Sequence, residues 1–271
     1  MLAWIQILFS LALTAIYTVN NDIPFTLGGV ATLFLVLVVA NLLMIVLILF
    51  IFVVFIYATE KISPKSMWKH WILYQYNIYL FSFLYRTKLI VTGIENLPKN
   101  NNFVVFSNHI EYTDPLFIMQ AYKKYPVGFV AKDPLFKIII LKNLLYSLGC
   151  IPLSRAVDRS ALETMVKSIK QVKEGQPMGI FPEGTRSYRN DLIEFKPGAF
   201  KLPQKAKADI SPVALFDMHE LSKKWRIFPT KVYIHILPIV KYEDYKELDT
   251  AQLSDKLFDI INAQMDIFKK R

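Results

Sequence analysis

Two polar residues at the end of an apolar run have the types and spacing of a catalytic pair. His109 and Asp114 lie five positions apart, directly after NFVVFSN (102–108), which has the Val- and Phe-rich composition of a buried strand. An imidazole with an unperturbed pKa of about 6.5 can accept a proton near neutral pH, and a carboxylate can orient it. Such a pair would activate a hydroxyl group as a nucleophile.

The same spacing also has a purely structural explanation. Asp114 precedes Pro115 at an expected helix start, where an Asp is typically an N-cap. His109 would then be an ordinary polar residue of a strand-to-helix loop, although such loops often hold catalytic groups. The spacing alone leaves both interpretations open.

A second polar segment, GIFPEGTRSYRN (179–190), also follows a short apolar strand. Gly184 permits a tight turn, and Thr185 and Arg186 offer a hydroxyl and a guanidinium fork that suit a phosphate. The glycine spacing resembles that of a P-loop, but Thr and Arg stand where that motif requires Lys and Ser or Thr, so we reject it. The alternative is a surface turn with a solvated Arg.

Short apolar segments and amphipathic helices alternate from residue 89 onward and predict an α/β domain. Seven segments have the length and composition of strands: 89–93, 102–108, 127–132, 149–154, 178–182, 210–216 and 231–240. One helix is predicted between Asp158 as N-cap and Gly175, and a second over about 251–269. The first helix has a predicted apolar face of Leu162, Met165, Val166, Ile169 and Val172.

Charge divides the 271-residue chain into an apolar N-terminal part and a basic body. Residues 1–60 contain two acids and no base, whereas the rest contains all 32 Lys and Arg against 20 acids, a net charge of +12. Two apolar runs, 2–19 and 27–58, are long enough for membrane spans of about 20 residues. The first run lacks the basic start of a cleaved signal peptide. Lysines follow the second run, so we expect both ends of this anchor on the cytoplasmic side.

The segment 61–88 is rich in Trp, Tyr and Phe and has bases at both ends. This composition favours an amphipathic helix at the headgroup boundary, and the alternative is a core helix of the body. A basic body could also bind nucleic acid, but no nucleic-acid motif is present and two spans argue against it. Cys150 is the single cysteine, and no Cys or His pair has zinc spacing, so we expect no metal site.

Four segments in this order resemble the membrane-bound glycerophospholipid acyltransferase family, over roughly residues 88–245. The family motif N-H-x(4)-D is matched by Asn108, His109 and Asp114, G-x(5)-R by Gly149 and Arg155, F-P-E-G-T-R-S by 181–187, and an apolar-Pro-Val block by 210–214. VAKDPLFK, which contains Lys132, and FKPGAFKLPQKA (195–206) are also similar to family segments. One departure is Glu111, where family members often carry Ser.

The resemblance implies a single glycerolipid-acyltransferase-like domain (89–271) with a central mixed sheet flanked by helices. The membrane anchor (1–60) and the interfacial helix (61–88) would precede it. The implied enzyme is an O-acyltransferase that moves a fatty acyl group from acyl-CoA or acyl carrier protein to the sn-2 hydroxyl of 1-acylglycerol 3-phosphate. The product would be phosphatidate, and no bound cofactor is expected.

The family's functional residues fall on specific positions of this chain. His109 would be the general base and Asp114 would orient it and stabilise the imidazolium. The acceptor's phosphate and glycerol would be held by six residues: Lys132, Arg155, Glu183, Gly184, Thr185 and Arg186. The expected partners are lysophosphatidate, the phospholipid bilayer and either thioester donor, with no nucleic acid.

Three other functions remain open at this point. The acceptor could be another lysophospholipid, water could replace it in a hydrolase, or the chain could be a non-catalytic membrane scaffold. The Lys-, Asn- and Ile-rich composition hints at a bacterial source, which predicts a plasma-membrane protein with its catalytic domain on the cytoplasmic side.

Overall fold

Seven strands form one sheet in the computed structural model, which describes residues 1–153, 159–223 and 228–270. The spatial order is β1-β7-β6-β2-β5-β3-β4. The strands are β1 Thr87–Thr92, β2 Phe103–Ser107, β3 Gly128–Lys132, β4 Ile151–Leu153, β5 Met178–Ile180, β6 Asp209–Phe216 and β7 Thr230–Ile236. Each of the seven predicted segments overlaps one of them. Arg155 and Asp158 lie outside the described residues.

The direction of the strands creates one functional edge. Strands β2 to β6 run parallel, whereas β7 is antiparallel to β6 and β1 is parallel to β7. The carboxyl ends of five strands therefore meet at the same edge, where open α/β sheets usually bind their ligands. The predicted mixed sheet is confirmed.

Helices cover the sheet on both faces. They are α1 Leu2–Asn20, α2 Leu27–Ala58, α3 Met67–Asn77, α4 Asp114–Ala121, α5 Ile139–Ser147, α6 Arg159–Lys173, α7 Lys201–Ala206 and α8 Thr250–Lys269, and a π-helical segment, Ile78–Leu84, continues α3. Strand β2 is buried throughout, with Phe103 and Val105 in one apolar core and Val104 and Phe106 in the other. Alternate residues of a strand point to opposite faces, so β2 belongs to both cores.

Helix α6 forms as predicted, but part of its predicted face is wrong. Leu162 is 70% exposed and Val166 is 65% exposed. Val172 is fully buried and Met165 and Ile169 pack against the core, as predicted, and Thr164 and Ser168 are buried beside them. The hydroxyl of Thr164 donates to the Pro152 carbonyl oxygen of β4 at 2.7 Å, so this side of the helix faces the sheet while Leu162 and Val166 face outward. Periodicity alone could not show this rotation.

The apolar N-terminal helices pack against each other and against the body. Gln6 bridges them, because its amide donates to Asn41 at 3.2 Å and accepts the Tyr79 hydroxyl at 2.5 Å. The later part of α2 packs on α3, where the rings of Phe52 and Tyr76 stack at 4.4 Å. Both helices are long and apolar enough to cross a membrane, and they associate the protein with one.

The aromatic segment 61–88 has two different faces. Leu73, Tyr76 and Tyr79 are buried against α1, α2 and the body, whereas Trp68 and Trp71 are about half exposed. One face thus matches the core-helix alternative, and the other has the exposed aromatic residues that an interfacial helix needs. The interfacial location stays a prediction.

Candidate active site

The side chains of His109 and Asp114 meet at the functional edge of the sheet. The His109 Nδ1 lies 2.8 Å from Asp114 Oδ2, and the same oxygen accepts the backbone N–H groups of Ile110 at 2.6 Å and Glu111 at 2.8 Å. Thr113 occupies the N-cap position of α4, and Asp114 is its first residue. The Asp114 carboxylate therefore points back into the His109 loop and does not cap its own helix.

Burial gives this pair its electrostatic character. Asp114 is fully buried, whereas the His109 side chain is 18% exposed. Burial raises the pKa of the Asp114 carboxyl, and the hydrogen bonds from His109, Glu111 and Ile110 act in the opposite direction. When Nδ1–H donates to the carboxylate, Nε2 carries the lone pair, so the ring is oriented to accept a proton at Nε2.

The segment 181–187 packs directly on His109. The Phe181 ring stacks on the imidazole with centroids 4.1 Å apart and planes at 19°. The Ser187 N–H donates to the His109 carbonyl oxygen at 2.8 Å, and the His109 N–H donates to Glu183 Oε1 at 3.3 Å. Two motifs that are about 70 residues apart in sequence thus form one site.

Glu183 is a buried carboxyl group at the centre of this contact. It is 1% exposed, and its second oxygen, Oε2, has no hydrogen-bond partner among the described residues. Burial raises the pKa of Glu183 to about 8, while the backbone N–H groups of His109 and Ile193 act against that shift and the nearby Asp114 adds to it. The Glu183 carboxyl therefore holds the backbone of the loop that contains His109.

Asn108 joins the loop that carries His109 to the neighbouring strand, β6. Its buried amide donates to the Leu215 carbonyl oxygen at 3.0 Å and accepts the Leu215 N–H at 2.8 Å. The N-H-x(4)-D motif contained this residue, but the sequence did not indicate its partner. Gly149 likewise has a structural role, because its φ is +74° and a Cβ there would lie 2.0 Å from the Gln176 amide nitrogen.

The cationic residues lie around the turn that follows β5. Gly184 has a φ of +67°, and a Cβ there would come within 2.9 Å of the Lys196 ammonium. The backbone N–H of Lys196 donates to the Pro182 carbonyl oxygen at 2.9 Å, so this lysine lies over the same turn as Arg186. Sequence reasoning missed Lys196, although it belongs to the similar segment 195–206. Thr185 is exposed on this turn.

The other predicted residues are placed less closely. Lys132 is exposed at the carboxyl end of β3, which belongs to the same edge of the sheet. Arg155 falls in the undescribed stretch after β4, so its side chain has no described position. Glu111, the residue that departs from the family pattern, is buried and accepts the Ser222 hydroxyl at 2.9 Å, so it helps to hold this loop in place.

The site therefore has a base with an orienting carboxylate and nearby cations at the edge of an α/β sheet, which suits acyl transfer to a hydroxyl group of an anionic acceptor. The Acyltransferase family model matches residues 88–216. The chain is 35% identical over 184 residues to 1-acyl-sn-glycerol-3-phosphate acyltransferase of Borreliella burgdorferi, an alignment that covers 67% of this chain and 73% of the relative. The chain belongs to this acyltransferase family and is an O-acyltransferase.

Two further similarities cover different shares of their proteins. The chain is 32% identical over 129 residues to the chloroplastic 1-acyl-sn-glycerol-3-phosphate acyltransferase LPAT1 of Arabidopsis thaliana, which is 47% of this chain but 36% of that relative. The crystal structure of the 1-acyl-sn-glycerophosphate acyltransferase PlsC from Thermotoga maritima has the same fold, with a TM-score of 0.63 at 21% identity. That comparison covers 82% of this chain and 96% of PlsC.

Proposed function

We propose that the protein acylates the sn-2 hydroxyl of 1-acylglycerol 3-phosphate and forms phosphatidate. The observation that carries this proposal is the contact between His109 and Asp114 beside the turn with Arg186 and Lys196. The names of the related proteins support the same acceptor.

The chemistry needs a base and no protein nucleophile. His109 Nε2 takes the proton of the sn-2 hydroxyl while that oxygen attacks the thioester carbonyl carbon. The tetrahedral intermediate then collapses, the carbon–sulfur bond breaks, and the leaving thiolate takes the proton from Nε2. Asp114 stabilises the imidazolium that exists between these steps. The products are phosphatidate and the free thiol of the donor.

The cations of the site hold the acceptor's phosphate. Arg186 provides a planar fork for two oxygens, Lys196 adds a point charge over the same turn, and Thr185 offers a hydroxyl. Lys132, at the carboxyl end of β3, is a further cation, and Arg155 is one that follows β4 in the sequence. Glu183 and Gly184 shape this turn, since the carboxyl holds the main chain of His109 and the glycine makes room for Lys196.

The donor is a water-soluble thioester, acyl-CoA or acyl carrier protein, and the acceptor comes from the bilayer. The body has a net charge of +12, which suits either anionic donor. The lysines that follow α2 favour a body on the cytoplasmic side of a bacterial plasma membrane.

The test is acyl transfer by the full chain in phospholipid vesicles, with acyl-CoA and acyl carrier protein supplied separately. The native protein is expected to form phosphatidate from lysophosphatidate, and His109→Ala should lower the rate about 10²- to 10⁴-fold. His219→Ala removes a histidine outside the site and should keep the native rate.

Three results would contradict the proposal in different ways. A His109→Ala rate equal to the native one excludes this base. Acylation of another lysophospholipid in place of lysophosphatidate assigns a different acceptor, and release of free fatty acid without phosphatidate identifies a hydrolase.

A further inference from the structure

The guanidinium of Arg186 contacts two tyrosine rings. Its Cζ is 3.2 Å from the ring centroid of Tyr112 and 4.6 Å from that of Tyr188. Tyr112 belongs to the loop between His109 and Asp114, whereas Tyr188 follows the cationic turn. Both tyrosines are more than half exposed, so neither ring is explained by core packing.

These ring contacts hold the guanidinium in one orientation. The guanidinium lies over the Tyr112 ring and close to the Tyr188 ring, and Nη1 is buried without a hydrogen-bond partner among the described residues. A ligand that approaches in the plane of the guanidinium meets N–H groups that form a fork. Tyr188 has a φ of +57°, an uncommon value for a bulky residue, which is consistent with a ring held in place for a purpose.

We propose that Tyr112 and Tyr188 are positioning residues that hold Arg186 as a preorganised fork for the terminal phosphate of the acceptor. The proposal rests on the acyltransferase function above and adds the source of its headgroup preference. A phosphomonoester has three terminal oxygens and a charge of about −1.5 to −2 near pH 7. Two oxygens fit the Arg186 fork, and the third is available to Lys196 over the same turn.

A phosphodiester headgroup fits this arrangement less well. It has two terminal oxygens and a single charge, and its remaining oxygen carries a substituent. Tyr112 belongs to the loop between His109 and Asp114, so its contact with Arg186 joins the phosphate site to that loop. The tyrosine pair should therefore favour lysophosphatidate over lysophospholipids with larger headgroups.

The experiment compares Tyr112→Leu, which removes the ring, with Tyr112→Phe, which keeps it, in the full chain in mixed micelles. Tyr112→Leu is expected to raise the KM for lysophosphatidate about 3- to 30-fold, the range of factors that cation–π contacts supply. The kcat and the KM for the acyl donor should change less than about twofold, since the base is untouched. Tyr112→Phe should restore the native KM.

The acceptor comparison separates this proposal from the function on which it rests. The preference for lysophosphatidate over lysophosphatidylglycerol, a phosphodiester, should fall in Tyr112→Leu. A native preference with no change of KM in Tyr112→Leu would overturn the positioning role while the function stands. A native protein that does not acylate lysophosphatidate would overturn the function itself.

A second, independent observation concerns the start of α5. Ile138, Ile139 and Ile140 are 56%, 73% and 49% exposed, and exposed lysines, Lys137 and Lys142, flank them. Contiguous exposed apolar residues of this kind mark interaction surfaces. Helix α5 contacts α2, and α2 also exposes apolar residues on its outward side, including Phe50, Ile51 and Val54.

We infer that 138–140 enter the headgroup region of the bilayer that surrounds α2. The outward face of α2 stays apolar where this helix lies along the body, so lipid must reach that part of the body. Helix α5 contacts α2, and the two lysines near the first residues of α5 suit anionic headgroups. This surface would be a second membrane contact, separate from the aromatic segment 61–88.

The test places an environment-sensitive fluorophore on Ile139→Cys in the full chain, reconstituted in phosphatidylglycerol–phosphatidylcholine vesicles. Glu243→Cys, at a solvated side chain, is the control, and the native Cys150 is buried. The Ile139 probe should shift to the blue and be quenched by a lipid with a shallow acyl-chain quencher, whereas the Glu243 probe should respond to aqueous iodide. An Ile139 probe that responds only to iodide, or one shielded from both quenchers as in a protein interface, would overturn the inference.

Discussion

At the scale of single residues, one oxygen atom organises the proposed base. Asp114 Oδ2 receives the His109 ring and two backbone N–H groups, so three donors converge on one buried acceptor. An asparagine could present its carbonyl oxygen to all three donors and keep the loop in place. It would lack the negative charge that stabilises an imidazolium.

Asp114→Asn is therefore expected to fold normally but to lose most of its activity. We expect kcat to fall about 10²- to 10⁴-fold, with little change in the KM for lysophosphatidate. Steady-state rates in mixed micelles and the thermal unfolding midpoint give the two readouts. A variant with native kcat would show that Asp114 has only a structural role.

Glu183 predicts a dependence of stability on pH. Its folded pKa is about 8, against about 4.3 in an unfolded chain. The folded state thus favours the protonated carboxyl, and the stability that it contributes is fully present below about pH 4.3 and lost as pH rises towards 8. Glu183→Gln cannot lose a proton, so the native free energy of unfolding should fall relative to this variant between pH 5 and 8 and then level off. Urea unfolding in detergent across this range measures the difference, and a constant difference would contradict the raised pKa.

Single residues also show which features of the site the sequence could predict and which it could not. His109 and Asp114 were identifiable because the motif fixes their types and spacing. The direction of the Asp114 carboxylate was not, since an N-cap and a histidine partner have the same local sequence. Tyr112 and Lys196 were missed because their roles depend on contacts with residues 74 and 12 positions away, which no local pattern contains.

At the scale of elements, how well a strand or helix can be predicted from sequence depends on whether one or both of its sides are buried. The strands were predictable because short Val-, Ile- and Phe-rich segments suit a sheet covered on both faces. Helix α8 was predictable because its apolar residues face one core. The buried side of helix α6 was only partly predictable, because Thr164 and Ser168 take buried positions while Leu162 and Val166 are exposed. Thr164 donates to the Pro152 carbonyl oxygen of β4, and Ser168 donates to the Thr164 carbonyl oxygen.

The connection between β2 and β6 yields a prediction at this scale. Asn108→Asp keeps an acceptor but loses the donor to the Leu215 carbonyl oxygen and buries a charge. We expect the free energy of unfolding to fall by about 1–3 kcal/mol, with lower activity because His109 is the next residue. Asn101→Asp, at an exposed position, controls for the added charge and should change stability by less than about 0.5 kcal/mol. Equal losses in the two variants would show that the Asn108 amide is not a structural link.

At the scale of the whole molecule, the division of charge predicts an orientation. The apolar hairpin has one acid, Asp22, at its exposed tip, and the basic body follows α2. Single cysteines at Asp22 and at the exposed Lys241 report these two regions to a membrane-impermeant maleimide. The native thiol gives little background, because burial raises the pKa of Cys150 to about 12 and thiolates are the reactive form.

In intact cells we expect Lys241→Cys to be protected and to react only after the membrane is permeabilised, because the positive-inside rule predicts that the lysines after α2, and the body with them, lie on the cytoplasmic side. If both apolar helices cross the bilayer, Asp22→Cys should react in intact cells. Protection at both positions would keep the orientation of the body but show that the hairpin enters the membrane without crossing it. Reaction of Lys241→Cys in intact cells would reverse the orientation, and a cytoplasmic thioester could then no longer reach His109.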